Sequence, residues 1–235
     1  MGAEPVREGL EVGACTRLML SYSFGSTGQR LRQLLVIGAH SDDIEIGCGG
    51  TLLRFTREYG DLEVNWMVLS AHGQRADEAR RSAETILSRV ERRQILVHSF
   101  RDGFLPYEGA AVKECFEGLK QQVQPDLILT HYGKDAHQDH RLVSELTWNT
   151  FRDHLILEFE IPKYDGDLGR PNVFVRLDEE IAQHKFEHLD AHFPSQRDRH
   201  WFSEDVFRSL MRLRGMECNA PGRYAEAFYS RKATL

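Results

Sequence analysis

The sequence predicts an α/β fold, a mainly parallel sheet flanked by helices, and two observations lead to it. Short apolar runs alternate with stretches of helical periodicity, the pattern of repeated βαβ units. Two clusters of His and Asp follow the first and the fourth of these runs, at the edge where parallel sheets bind their ligands. The 235 residues suit one such domain, since domains commonly span roughly 50–250 residues.

Strands are expected at 33–38 (QLLVIG), 64–70 (VNWMVLS), 94–99 (QILVHS) and 126–131 (DLILTH), with helices between them at about 49–59, 75–90 and 109–123. Pro125 stands where a helix has ended and a strand begins. A helix of about 140–153 follows, then extended pieces at 155–161 and 172–177, separated by the loop signals Gly166, Gly169 and Pro171. Charged helices near 178–191 and 203–214 complete the pattern. Residues 1–30 read as an N-terminal extension or edge element, and 31–235 as a single domain without repeats or an interdomain linker.

Hydrophobic residues make up 41% and charged residues 28%, ordinary for a soluble globular protein. A formal net charge of −6 argues against a nucleic-acid binder, which needs clustered Lys and Arg. No apolar segment reaches the roughly 20 residues that cross a bilayer. Leu18-Met19-Leu20 is too short for a signal-peptide core. Cys15, Cys48, Cys115 and Cys218 are scattered without a CxxC pair. That disfavours a Cys-rich zinc module or a disulfide framework and favours free thiols in a reducing cytosol. The expectation is a cytoplasmic protein; the sequence carries no signal of oligomeric state.

Ala39-His40-Ser41-Asp42-Asp43 stands where the apolar run 34–37 opens into a loop, and His137-Gln138-Asp139-His140 follows Leu127-Ile128-Leu129. A histidine and two carboxylates are costly to gather near a core unless a cation joins them. Two residues separate His40 from Asp43, so one turn can aim both at a point. His137 and His140 share a face at a helix start. A hydrolytic zinc keeps three protein ligands and one position for water.

Four such groups are not all needed as ligands; the assignment is His40, Asp43 and His140 as ligands and Asp42 as the general base toward a metal-activated water. His137, oriented by Asp139, becomes the protonated group that stabilises an oxyanion and protonates a leaving amine. Each residue alone has a plainer reading: a satisfied structural histidine, or an Asp pair shaping a cap or turn. The pairing of two clusters at corresponding strand ends favours a metal-dependent hydrolase. Zn2+ is the expected ion, and a His2Asp set also accepts Fe2+, Mn2+ or Co2+.

The stretch from Ala39 to Gly47, followed by Gly49-Gly50-Thr51, resembles the first motif of the LmbE-like/PIG-L family of zinc-dependent N-deacetylases. His137-Gln138-Asp139-His140-Arg141 resembles its second, and Tyr224-Ala225-Glu226-Ala227-Phe228 resembles a common C-terminal stretch. The resemblance covers about residues 32–154. It implies a Rossmann-like fold and removal of an N-acetyl group from a small-molecule amino sugar, commonly a glycoconjugate or nucleotide-linked sugar. It also implies the roles given above for His40, Asp42, Asp43, His137 and His140. Ser41 and Gln138 stand where the family usually has proline, which removes a backbone constraint but no reacting group.

Two other functions compete: hydrolysis of a different small amide, and nucleotide binding through Gly47-Cys48-Gly49-Gly50. Against the latter, charged residues intervene between strand and glycines, and the second strand ends in Ser70-Ala71-His72 without an acidic residue for a ribose. The glycines are expected to permit tight packing at a helix start, with Cys48 a packed small residue. Arg75, Asp102 and Tyr132 are the candidates for substrate contact, and His72 and His131 border the same edge. His184, His188 and His192 read as a solvated helix face, the cations of 197–214 as an exposed helix, and Trp201 and Phe202 as core.

Overall fold

The structure, a computed structural model, describes residues 30–234. Apart from Arg30, the expected N-terminal extension lies outside the described residues.

The apolar runs become strands β1 (Gln33–His40), β2 (Glu63–Ser70), β3 (Arg92–Val97), β4 (Leu127–His131) and β5 (Leu155–Phe159), all parallel. With β6 (Val173–Leu177) and β7 (Tyr224–Tyr229) they form a seven-stranded sheet of order β3-β2-β1-β4-β5-β7-β6. Strand β7 runs antiparallel to both of its neighbours.

Side chains alternate across a sheet, and here both faces are apolar. Leu34, Val36, Val64 and Trp66 join one core, Leu35, Ile37, Met67 and Leu69 the other. Helices α1 (Asp43–Glu58), α2 (Gln74–Ile86) and α5 (Glu179–His192) close the first through Leu52, Ala83 and Phe186. Helices α3 (Gly109–Lys120) and α4 (Gln138–Thr150) close the second through Phe116 and Val143. Helix α6 (Glu204–Glu217) adds Phe207 and Met211 to the first core.

The chain therefore leaves β1 toward one face and β4, its neighbour, toward the other. Adjacent strand ends that part in this way open a crevice between them. Among the described residues no helix is long and apolar enough to cross a membrane.

Three expectations need correction. The helix expected at about 49–59 begins at Asp43 and kinks at Cys48, where φ is −145°. The glycines interrupt it without ending it, because the backbone beyond the kink is capped from elsewhere: Glu226 accepts from Gly50 N (2.8 Å) and Thr51 N (2.6 Å). Strand β7 is an addition to the expected strands: it covers the stretch that resembles the family's C-terminal motif and pairs with β5 and β6.

The α5 face read as solvated is buried at Lys185 and His188. Lys185 Nζ bonds Glu226 Oε1 and Ile46 O, each at 2.6 Å, and His188 Nε2 lies 2.7 Å from Ser82 Oγ. Helix α6 is likewise not wholly exposed, for Arg214 is buried and makes a two-pronged contact with Glu160, both bonds 2.7 Å.

Candidate metal centre and active site

Buried leucines, valines and isoleucines at 34–37 anchor β1, each contributing roughly 1.5–3 kcal/mol. That anchorage offsets the cost of holding His40, Ser41, Asp42 and Asp43 out of water at its end, at 7%, 1%, 2% and 4% exposure. Gly47 brings α1 close to the sheet, since a Cβ there would run into the Phe159 ring. The same crevice receives His131 from the end of β4 and His137 and His140 from the start of α4.

Three atoms converge. His40 Nδ1 lies 3.2 Å from Asp43 Oδ2 and 3.2 Å from His140 Nε2, and the latter lies 3.4 Å from Asp43 Oδ2. A tetrahedral ion with ligand bonds of roughly 2.0–2.1 Å spaces its ligand atoms about 3.3–3.4 Å apart. The three predicted ligands are thus set at the edge lengths of such a site.

The far nitrogen of each imidazole is bound to a carboxylate. His40 Nε2 lies 3.1 Å from Asp139 Oδ2 and 3.2 Å from Asp102 Oδ1; His140 Nδ1 lies 3.0 Å from Asp135 Oδ2. Donating that N–H fixes the tautomer and leaves the opposite lone pair facing the convergence point, the arrangement metal-ligating histidines use. Two imidazole nitrogens and a carboxylate oxygen brought together favour a positive charge between them, whether a shared proton or a bound cation.

The electrostatics point the same way. Burial pushes the His40 and His140 imidazoles down, but Asp43 and the backing carboxylates outweigh it and hold both above their ordinary value. Burial pushes Asp43 up, yet His140, His40 and His131 hold it well below the usual carboxylate range. A divalent ion satisfies the same demand, and the donor set fits one.

His131 is adjacent but differently employed. Its Nε2 accepts from Ala39 N at 2.9 Å, its ring stacks on His140 with centroids 3.9 Å apart, and burial pushes its pKa down to about 4. The same Nε2 lies 3.2 Å from Asp43 Oδ2, so His131, Asp43 and His140 form a second group of side chains that could hold a metal ion.

Asp42 caps no amide of α1. Its Oδ1 faces Ser41 Oγ and Arg75 Nη2, each 3.4 Å away, while Oδ2 is buried without a partner among the described residues. Burial, then the Asp43 charge, pushes its pKa up.

The sequence expectations for His137 and Asp139 change. Asp139 does not orient the His137 ring; its carboxylate receives Gly103 N (2.8 Å) and Leu105 N (3.2 Å) besides His40. What touches His137 is the Asp139 amide, which donates to Nδ1 at 3.2 Å as α4 begins. Burial, then His140 and His40, pushes the His137 pKa down, so a neutral ring with its proton on Nε2 is favoured over the expected imidazolium.

Of the substrate-contact candidates, Arg75 and Asp102 join the cluster through a 2.9 Å bond. Tyr132 instead stacks on Tyr229, with centroids 3.7 Å apart. Asp135 and Lys163, 2.9 Å apart, were not anticipated, because no local spacing ties them to His140.

The glycine loop is also resolved. Where a nucleotide-binding loop would hold phosphate on free amides, the Glu226 carboxylate occupies the amides of Gly50 and Thr51 and also accepts from Thr51 Oγ1. The chain supplies its own anion at that place.

Fold and site together define an α/β protein whose crevice, at the parting of β1 and β4, gathers His and Asp side chains that could hold a metal ion. The model of the PIG-L family, described as GlcNAc-PI de-N-acetylase, matches residues 35–151, which carry both motifs. Through this domain the chain belongs to the PIG-L, or LmbE-like, family.

A relative from Escherichia coli (strain K12), the uncharacterized deacetylase YaiS, is 26% identical over 176 residues, covering 71% of this chain and 94% of that protein. Among solved structures, N,N'-diacetylchitobiose deacetylase from Pyrococcus horikoshii matches with a TM-score of 0.66 at 20% identity, covering 85% of this chain and 84% of that one. GalB, the 4-carboxy-2-hydroxymuconate hydratase from Pseudomonas putida KT2440, matches with a TM-score of 0.68 at 17% identity, over 87% and 98% of the two chains. These likenesses show the fold. One fold thus carries both a deacetylase and a hydratase, so function must be argued from the site.

Proposed function

We propose that this chain is a metal-dependent amide hydrolase that removes the N-acetyl group from an amino sugar or a conjugate of one. The observation that carries the reading is the convergence of His40 Nδ1, Asp43 Oδ2 and His140 Nε2, with both imidazoles backed by carboxylates. The family match supports the acetamide as the bond cut. The relatives named as deacetylases agree with it. Residues 31–235 are read as its single domain, with Glu226 near the C-terminal end locking α1 beside the ligands.

His40, Asp43 and His140 would hold a divalent ion, zinc in this reading, which when bound would acidify water and polarise a carbonyl oxygen. Asp42 takes the proton of the attacking water on Oδ2, the oxygen left without a partner. As the water oxygen bonds to the carbonyl carbon, His137 donates its Nε2–H to the developing oxyanion. Cleavage of the C–N bond passes the proton from Asp42 to the departing amine and leaves acetate.

Elemental mass spectrometry on protein purified without chelator, paired with an acetate-release screen over N-acetyl sugars, tests the proposal. About one ion per chain, lost in His40→Ala, and turnover lost in Asp42→Ala with the ion retained are the expected results. Protein that binds no added metal would overturn it.

A further inference from the structure

Arg75 is a cation that the reaction outlined above does not use, yet it is built into the site. It stands at the start of α2, just after Gly73, whose φ of +50° turns the chain into the helix. Three of its nitrogens face three acceptors: Nε donates to Ser41 Oγ (3.0 Å), Nη1 to Asp102 Oδ2 (2.9 Å) and Nη2 to Asp42 Oδ1 (3.4 Å). Ser41 Oγ also reaches Asp42 Oδ1 at 3.4 Å. One oxygen of Asp42 is thereby engaged twice while the other, Oδ2, has no partner among the described residues. The guanidinium is a rigid planar fork. Asp102, itself on His40 Nε2, anchors one prong, so the plane is fixed relative to the ligand histidine.

We propose that Arg75 is a positioning residue for Asp42, holding Oδ1 so that Oδ2 presents its lone pair to the attacking water. The inference rests on the reading of Asp42 as the general base. It assigns Arg75 away from the substrate: three of its nitrogens meet acceptors of this chain, and its side chain is only 29% exposed. A misplacement of about 1 Å in a reacting group can cost roughly 100-fold in rate. Loss of Arg75 therefore acts on the chemical step, not on substrate binding.

The test uses the full chain loaded with its metal and an N-acetyl sugar that the unaltered protein turns over. Arg75→Ala is expected to lower kcat by about 10–100-fold, with KM within about 3-fold and metal content unchanged. Added ethylguanidinium is expected to restore part of kcat. In an Asp42→Ala background the same substitution is expected to cost little more, because its effect runs through Asp42. Ser41→Ala, which removes one anchor of the fork, is expected to lower kcat in the same direction and by less.

A rise in KM with kcat kept would make Arg75 a substrate ligand and overturn the proposal, as would full additivity with Asp42→Ala. Should Arg75→Ala fail to fold, an unchanged kcat in Ser41→Ala overturns it alone. An unaltered protein that binds metal but releases no acetate refutes the deacetylase reading instead, so the two failures are separable.

Discussion

The Glu226 carboxylate accepts the amide of Thr51 at 2.6 Å, joining strand β7 to the middle of the helix that follows His40. That bond caps α1 beyond its kink and, with Lys185 at 2.6 Å, closes the loop to any outside anion. Replacing Glu226 by Ala leaves Lys185 buried without its counter-charge, held only by Ile46 O, and frees two amides. A loss of about 3–5 kcal/mol is expected from urea unfolding. A cost under about 1 kcal/mol would show that the cap is dispensable.

Asp139 and Asp135 back the His40 and His140 imidazoles, the proposed ligands. Asp139→Asn and Asp135→Asn are each expected to weaken metal affinity by about 10–100-fold, read by competition with a chromophoric chelator. If Asp139→Asn kept full affinity and lost only turnover, its role would lie with His137 after all.

Removing the ion of the proposed site should lower the melting temperature. A ligand that binds only the folded chain stabilises it by about 2.7 kcal/mol at 100 times its dissociation constant. Scanning calorimetry of stripped and reloaded protein should show this difference, and His40→Ala should abolish it.

His188 gives a pH dependence. Burial, then His192 and His184, pushes its pKa down to about 3 from an ordinary 6.5, and its ring faces Glu45 through Ser82. A depressed histidine pKa means that the folded chain resists protonation, so its contribution is intact above about pH 6.5 and is lost as pH falls toward 3. Between pH 6.5 and 5 the loss is roughly 1–2 kcal/mol. Urea midpoints across that range should fall, and His188→Gln should flatten the slope.

The strands around the site were legible because their signals are local: a buried parallel strand is an apolar run, and its C-terminal end marks the ligand edge. The extent of α1 was less legible, since a Gly-rich stretch ends a helix only if nothing distant caps it, and Glu226 lies 175 positions from Thr51. Lys185 and His188 misled for a related reason. Polar residues at helical spacing read as solvated unless partners such as Glu226 and Ser82 are known.

By itself the sequence determined the fold class, the two strand ends that meet and the residue types His40, Asp42, Asp43, His137 and His140, since spacing within a turn fixes which groups can share a point. Only the tertiary structure decided what stands behind them. Asp139 serves His40, 99 positions away, and not its near neighbour His137; Asp135 serves His140; Arg75 serves Asp42. Those pairings depend on the direction of side chains from elements brought together by the sheet, and a linear chain does not carry direction.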